Sequence, residues 1–226
     1  MRKTTLIATA LTATAVLALS ACGGGNGVES SKAKSSDGAF EVSGGDADNG
    51  KTSTVLDSPF TKPDLTLTDT QGKKFDLRKE TQGKATLIYF GYTHCPDVCP
   101  LVASNLGIAY KKLSKAEQEQ LRVVFITSDP DRDTPEVLGK WLRGAGSPSF
   151  VGLSGDFKAT QAAARSVGIS IEPPVKDQNG KIMSTHGKTV LAFSPKDDKA
   201  HVIFHEETTF DDYAKAMPKL IKGETP

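Results

Sequence analysis

The chain has 226 residues, 28 basic and 27 acidic side chains, four histidines and three cysteines. That length provides for one or two domains with a well-buried core. The near-zero net charge excludes a global field that would draw the protein to nucleic acid or anionic lipid, so partners are recognised locally.

Met1-Arg2-Lys3 is a short basic start, Leu6 to Leu19 is an apolar run rich in Ala and Thr, and the first acidic residue is Glu29. This is the order of a secretory signal peptide, and the run is shorter than the roughly 20 apolar residues a permanent span needs. It ends in Leu19-Ser20-Ala21-Cys22, which looks like the lipobox where bacterial lipoprotein precursors are acylated and cut. The reading is therefore a signal segment over 1–21 and a lipidated Cys22 that anchors the protein to the outer face of the cell membrane. Residues 22–54 are mostly Gly, Ser, Asp, Asn and Lys, too poor in apolar surface to offset the entropy of ordering. They read as a flexible tether with a reach on the order of 30 Å. A single folded domain is expected over 55–226.

Within that domain, Leu65 to Thr68 and Lys74 to Leu77 flank Thr70-Gln71-Gly72 and read as a hairpin. Ala85 to Phe90 and Arg122 to Thr127 are continuous apolar runs, as expected of parallel strands covered on both faces. Between them Val102, Leu106, Ala109 and Leu113 fall on one helical stripe, which makes a βαβ unit. Thr134-Pro135 reads as a cap and first turn, opening a helix marked by Val137, Leu138, Trp141 and Leu142. Ala159 to Val167 is another helix, and Thr189 to Phe193 and His201 to His205 are an antiparallel strand pair. Phe210 to Ile221 is a closing amphipathic helix that Pro218 is expected to break or kink. This order is that of an α/β thioredoxin-like sandwich, a central mixed β-sheet flanked by helices with an N-terminal β-hairpin.

Gly91-Tyr92-Thr93-His94-Cys95-Pro96-Asp97-Val98-Cys99-Pro100 follows the first buried strand directly, at the sheet edge where α/β proteins collect ligands. Both prolines suit a first helical turn, so an irregular turn is expected across the motif, with the regular helix beginning near Pro100. Cysteines four apart on one turn can share a soft metal or close as a disulfide. The nearby helix start favours thiolate over thiol, with Asp97 acting against it. A disulfide closing so short a loop constrains the unfolded chain little, which argues against a purely structural bridge.

Two thiolates need a third ligand, and a neutral imidazole suits a borderline or soft ion. If the strand Thr189 to Phe193 runs antiparallel beside Ala85 to Phe90, His186 arrives next to Cys95 and Cys99. His94 reads as structural or outer-shell, and His201 with His205 as a solvated face of the last strand. Asp129, in Asp129-Pro130-Asp131-Arg132-Asp133-Thr134-Pro135, is either an outer-shell group of the site or plain turn chemistry.

The decapeptide with both cysteines, the Asp129 to Pro135 loop and the downstream His186 resemble the Sco/SenC family over about residues 55 to 222. Met183-Ser184-Thr185-His186-Gly187 departs from the family's Asp-His-Ser wording, so the histidine is matched by position. The resemblance implies a thioredoxin-like fold that binds copper through Cys95, Cys99 and His186. It also implies a part in building the dinuclear copper (CuA) centre on the copper-bearing subunit of cytochrome c oxidase. An upstream copper carrier or a thiol reductant is the further partner expected. Because copper and a disulfide compete for the same two sulfurs, the site is redox-gated. The alternative reading is a thiol-disulfide oxidoreductase that reduces cysteines of the oxidase copper site. Its spacing would be Cys-x-x-x-Cys, where thioredoxins have Cys-x-x-Cys.

Overall fold

A computed structural model describes residues 52–226; the signal segment, Cys22 and the tether up to residue 51 lie outside the described residues. Chain order is β1 (Ser53–Thr61), β2 (Thr66–Asp69), β3 (Lys74–Asp76), α1 (Leu77–Glu80), β4 (Ala85–Gly91) and α2 (Val98–Lys111). There follow α3 (Lys115–Gln120), β5 (Leu121–Thr127), α4 (Pro135–Ala145), β6 (Val151–Ser154) and α5 (Phe157–Arg165). The chain closes with β7 (Val175–Lys176), β8 (Ile182–Met183), β9 (Val190–Phe193), β10 (Lys199–Phe204) and α6 (Phe210–Ile221).

Eight strands form one sheet in the order β1-β10-β9-β4-β5-β6-β2-β3, and β7 pairs with β8 separately. All seven residues of β4 are buried, as befits an unbroken apolar run at the centre of a sheet. It runs parallel to β5 from Ala85↔Leu121 to Gly91↔Thr127 and antiparallel to β9, with Ile88 opposite Leu191. Its side chains alternate between two cores. Leu87 and Tyr89 pack with Val102 and Leu106 of α2, Leu138 and Leu142 of α4 and Met217 of α6. Ile88 and Phe90 pack with Ala163, Ala164 and Val167, on the α5 side. The sheet is thus mixed and sandwiched between helices, the architecture expected from the order of elements. Among the described residues no helix is long and apolar enough to cross a membrane.

The expected hairpin is present as β2 and β3, turning through Gly72 at φ 79°, though Leu77 opens α1 and is not part of the strand. Thr134 caps α4, accepting from the Val137 amide, with Pro135 in the first turn. Four features differ from the sequence expectation. Strand β1 begins at Ser53, opposite Phe204, so regular pairing reaches two residues into the segment read as tether. Helix α3 is short and wholly unburied, held by a capping box between Ser114 and Glu117 instead of an apolar stripe. Helix α2 starts at Val98 and not near Pro100, because the Asp97 side chain caps it by accepting from the Val98 amide at 2.7 Å. Pro100 then sits in the first turn, where no intrahelical donor is lost. Helix α6 continues through Pro218, since Tyr213, Met217, Leu220 and Ile221 are buried on one face and outweigh one missing bond in the last turn.

Candidate functional site

The site is built at the carboxyl ends of β4 and β5. Ser128 donates its amide to the Gly91 carbonyl at 2.7 Å, and the Gly187 amide donates to the Phe90 carbonyl at 2.8 Å. These two bonds bring the loop after β5 and the segment before β9 to the point where β4 ends. The antiparallel placement of β9 therefore puts His186 at the same sheet edge as the cysteines, as expected from the strand order.

Cys95 and Cys99 are both free thiols and both buried. Cys95 lies in a turn closed by its own amide to the Tyr92 carbonyl, and its sulfur accepts the Cys99 amide at 3.3 Å. Cys99 is the second residue of α2, and its sulfur lies 3.5 Å from the Tyr89 hydroxyl. Burial pushes the Cys99 thiol up to about 12, against hydrogen bonds from the Tyr89 hydroxyl and the Tyr92 amide that pull it down. The expectation that the helix start makes a thiolate is overturned at this residue. A helix terminus contributes roughly 0.3–1 kcal/mol, less than one pK unit, whereas desolvation of a buried group shifts it by several.

A pH dependence follows from this. The unfolded thiol titrates near 9 while the native one keeps its proton until about 12. Across that window the native state binds more protons than the unfolded state, so stability falls as pH rises. Urea denaturation of the reduced protein at a series of alkaline pH values is expected to show that fall, and Cys99→Ser a shallower one. Equal slopes would mean that burial does not hold the proton on Cys99.

His186 is half-buried, and its Nδ1 lies 2.8 Å from the Gly187 carbonyl. A carbonyl only accepts, so Nδ1 carries a proton, and the tautomer this selects has its lone pair on Nε2. The ring faces Tyr92 at a centroid distance of 6.1 Å. Burial, and to a lesser extent Cys95 and Cys99, raises the Tyr92 hydroxyl above its ordinary value. Among the described residues no group of three His, Cys, Asp or Glu side chains is gathered closely enough to hold a metal ion. The two sulfurs and the imidazole share one edge without forming a closed cage. Two soft donors and one imidazole remain a donor set suited to copper.

The loop after β5 ties both halves together. Asp129 is buried; one carboxylate oxygen accepts from Arg132 and, at 2.7 Å, from the Ser184 hydroxyl, while Oδ1 has no hydrogen-bond partner among the described residues. Ser128 donates to the Thr185 carbonyl at 2.5 Å. Asp129 therefore anchors the strand end immediately before His186, and it also sets its own turn, since Asp133 donates its amide to the Asp129 carbonyl at 2.9 Å. The turn reading is seen directly in that bond, and the Ser184 contact sets Asp129 beside the segment that carries His186.

Asp133 is the site residue that sequence reasoning missed. Fully buried, it accepts from the Thr93 amide at 2.9 Å, the Thr93 hydroxyl at 2.5 Å and the Thr127 hydroxyl at 2.6 Å, which moors the turn leading into Cys95. The signal available was the repeat of Asp at positions 129 and 133, which reads equally well as turn chemistry. His94 is half exposed and its Nδ1 lies 3.1 Å from the Thr93 hydroxyl and 3.6 Å from Asp133, in keeping with a structural role. His201 is joined to Asp197 at 2.8 Å and His205 to Thr54 at 2.9 Å, so the two engage separate partners.

Known proteins share this fold. The human mitochondrial SCO1 homolog is 35% identical over 142 residues, which are 62% of this chain and 45% of that protein. The chain spans less than half the length of the mitochondrial relatives from human and yeast that it matches. The solution structure of apo Sco1 from Thermus thermophilus aligns with TM-score 0.65 and 30% identity, covering 77% of this chain and 99% of that one. Bradyrhizobium japonicum ScoI, solved with copper bound, aligns with TM-score 0.60 and 28% identity over 72% of this chain and 98% of its own. The SCO1/SenC family profile matches residues 54–222, both cysteines, His186 and the Asp129–Asp133 loop included, and the chain belongs to that family.

Proposed function

We propose that this protein is an extracytoplasmic copper chaperone, held at the cell membrane through a lipidated Cys22, that binds one copper through Cys95, Cys99 and His186. Its task in this reading is to assist assembly of the CuA site on the copper-bearing subunit of cytochrome c oxidase. The observation that carries the reading is that two buried free thiols and the His186 segment lie at the same end of β4. Support comes also from the His186 ring, whose Nδ1 proton is occupied by the Gly187 carbonyl and whose Nε2 is left as a donor. A related protein that shares the fold has been solved with copper bound.

The thiolates select Cu(I), and the imidazole tolerates either oxidation state. When bound, the ion supplies a soft, exchangeable centre that a partner's ligands can take over. The chain's own residues do the rest: α2 and the Asp133 bracket hold Cys95 and Cys99, and the Ser128 and Asp129 bonds hold the segment before His186 at the same sheet edge. Oxidation of the pair to a disulfide removes both sulfur ligands at once, so loading depends on the redox state.

The test is an anaerobic Cu(I) competition titration against a chromophoric chelator, using the full chain with Cys22→Ser so that two thiols remain. One copper per chain is expected in the reduced form, at least about tenfold weaker affinity with His186→Ala, and none in the oxidised form. Binding no stronger than that of the oxidised control would overturn the reading and leave thiol-disulfide exchange as the better account of the pair.

A further inference from the structure

Each sulfur has a backbone and a side-chain neighbour. Cys95 accepts the Cys99 amide at 3.3 Å and lies 4.0 Å from the Asp97 carboxylate, whereas Cys99 has the Tyr92 amide and, at 3.5 Å, the uncharged Tyr89 hydroxyl. Tyr89 is 2% exposed and Cys99 wholly buried, so water does not compete for the contact. The hydroxyl has no other hydrogen-bond partner among the described residues, and the ring is fixed against Phe125 at a centroid distance of 5.6 Å. Gly91 makes the approach possible: a Cβ there would lie 2.7 Å from the Tyr89 ring and 3.0 Å from the Cys99 sulfur.

A metal-bound sulfur has no hydrogen to give, so in that state Tyr89 must be the donor, and the protonated thiol still offers lone pairs to the same hydroxyl. Closing the bridge ties the sulfur to Cys95 and draws it from the position in which it meets Tyr89. A buried phenol left unpaired costs free energy in the oxidised state alone.

We propose that Tyr89 is a positioning residue whose hydroxyl holds the Cys99 sulfur in its reduced or metal-bound form and so biases the pair against closing as a disulfide. This rests on the redox-gated reading of the site and says which residue sets the balance. The reaction concerned is exchange with an oxidised thiol compound such as glutathione disulfide. Cys95 and Cys99 lose two electrons and two protons and form one S–S bond. The S–S bond of the glutathione disulfide breaks, and its two sulfurs leave as thiols carrying those protons.

The experiment is a metal-free redox titration of the full chain with Cys22→Ser in glutathione buffers of graded ratio, beside the same chain carrying Tyr89→Phe. The phenylalanine form keeps the ring and loses only the hydroxyl, and is expected to shift the equilibrium roughly fivefold toward the disulfide. Incorporation of 3-fluorotyrosine at position 89 strengthens the donor and is expected to shift it the other way, which keeps the test open should Tyr89→Phe fold poorly. A second readout is the sulfur-to-copper charge-transfer band of the Cu(II) form, expected at lower energy in Tyr89→Phe because the sulfur lone pairs are no longer stabilised. A wild-type pair that oxidises normally, with all forms equal within error, would overturn the role of Tyr89 and leave the redox-gated site standing. A wild-type pair that stays reduced even in excess glutathione disulfide would overturn both.

Discussion

Replacing Asp133 by Ala is expected to destabilise the protein by about 3 kcal/mol and to weaken copper binding at the same time. The carboxylate is fully buried and accepts from three donors, two on Thr93 and one on Thr127. Deleting it strands those donors without water to replace it, and a buried unsatisfied polar group costs roughly 1–3 kcal/mol. Loss of the buried charge offsets part of that sum, which is why the expected total is nearer the cost of one strong interaction than of three. Thr93 lies two residues before Cys95, so the released backbone belongs to the turn that carries the first sulfur. Asp133→Asn keeps one accepting oxygen and is expected to fall between the two. The check is the urea midpoint together with the copper titration. A midpoint equal to wild type would show that the bracket does not hold the turn.

Gly91→Ala is expected to cost about 1–3 kcal/mol and to disturb the thiol pair directly. The added carbon would sit 2.7 Å from the Tyr89 ring, 2.8 Å from Phe125 and 3.0 Å from the Cys99 sulfur, and none of the three has open space to retreat into. Gly144 provides the opposite case. It lies in α4, and a methyl added there would meet nothing within 4 Å, so Gly144→Ala is expected to stabilise by about 0.5–1 kcal/mol through helix propensity. Thermal or urea unfolding of both variants measures the contrast, and a stable Gly91→Ala with unchanged copper affinity would show that the close approach is not required.

Much of this protein is legible in its sequence. The continuous apolar run of β4 can be satisfied only by a strand covered on both faces, and the cysteine motif that follows it is thereby placed at a sheet edge. Thr134-Pro135 and Thr70-Gln71-Gly72 specify a helix start and a turn through local backbone chemistry, which needs no tertiary partner. Strand β1, in contrast, alternates weakly and contains Pro59, and becomes a strand only because β10 offers an edge to pair with. The β7–β8 hairpin has two-residue strands whose pattern is too short to read.

At the site, the sequence by itself determined the donor side chains present, their spacing, and the end of the sheet at which they lie, because all three depend on covalent order and strand direction. Tertiary structure decided the rest. Whether Cys99 is thiol or thiolate turns on burial, which outweighs the helix terminus and depends on everything packed around the sulfur. Whether an aspartate in a turn-rich loop anchors the cysteines or merely caps a turn depends on donors forty residues away in the chain, as Thr93 is from Asp133. Spacing along a sequence carries the chemistry that can occur; desolvation and long-range hydrogen bonding, which are properties of the packed state alone, set which form of each group is present.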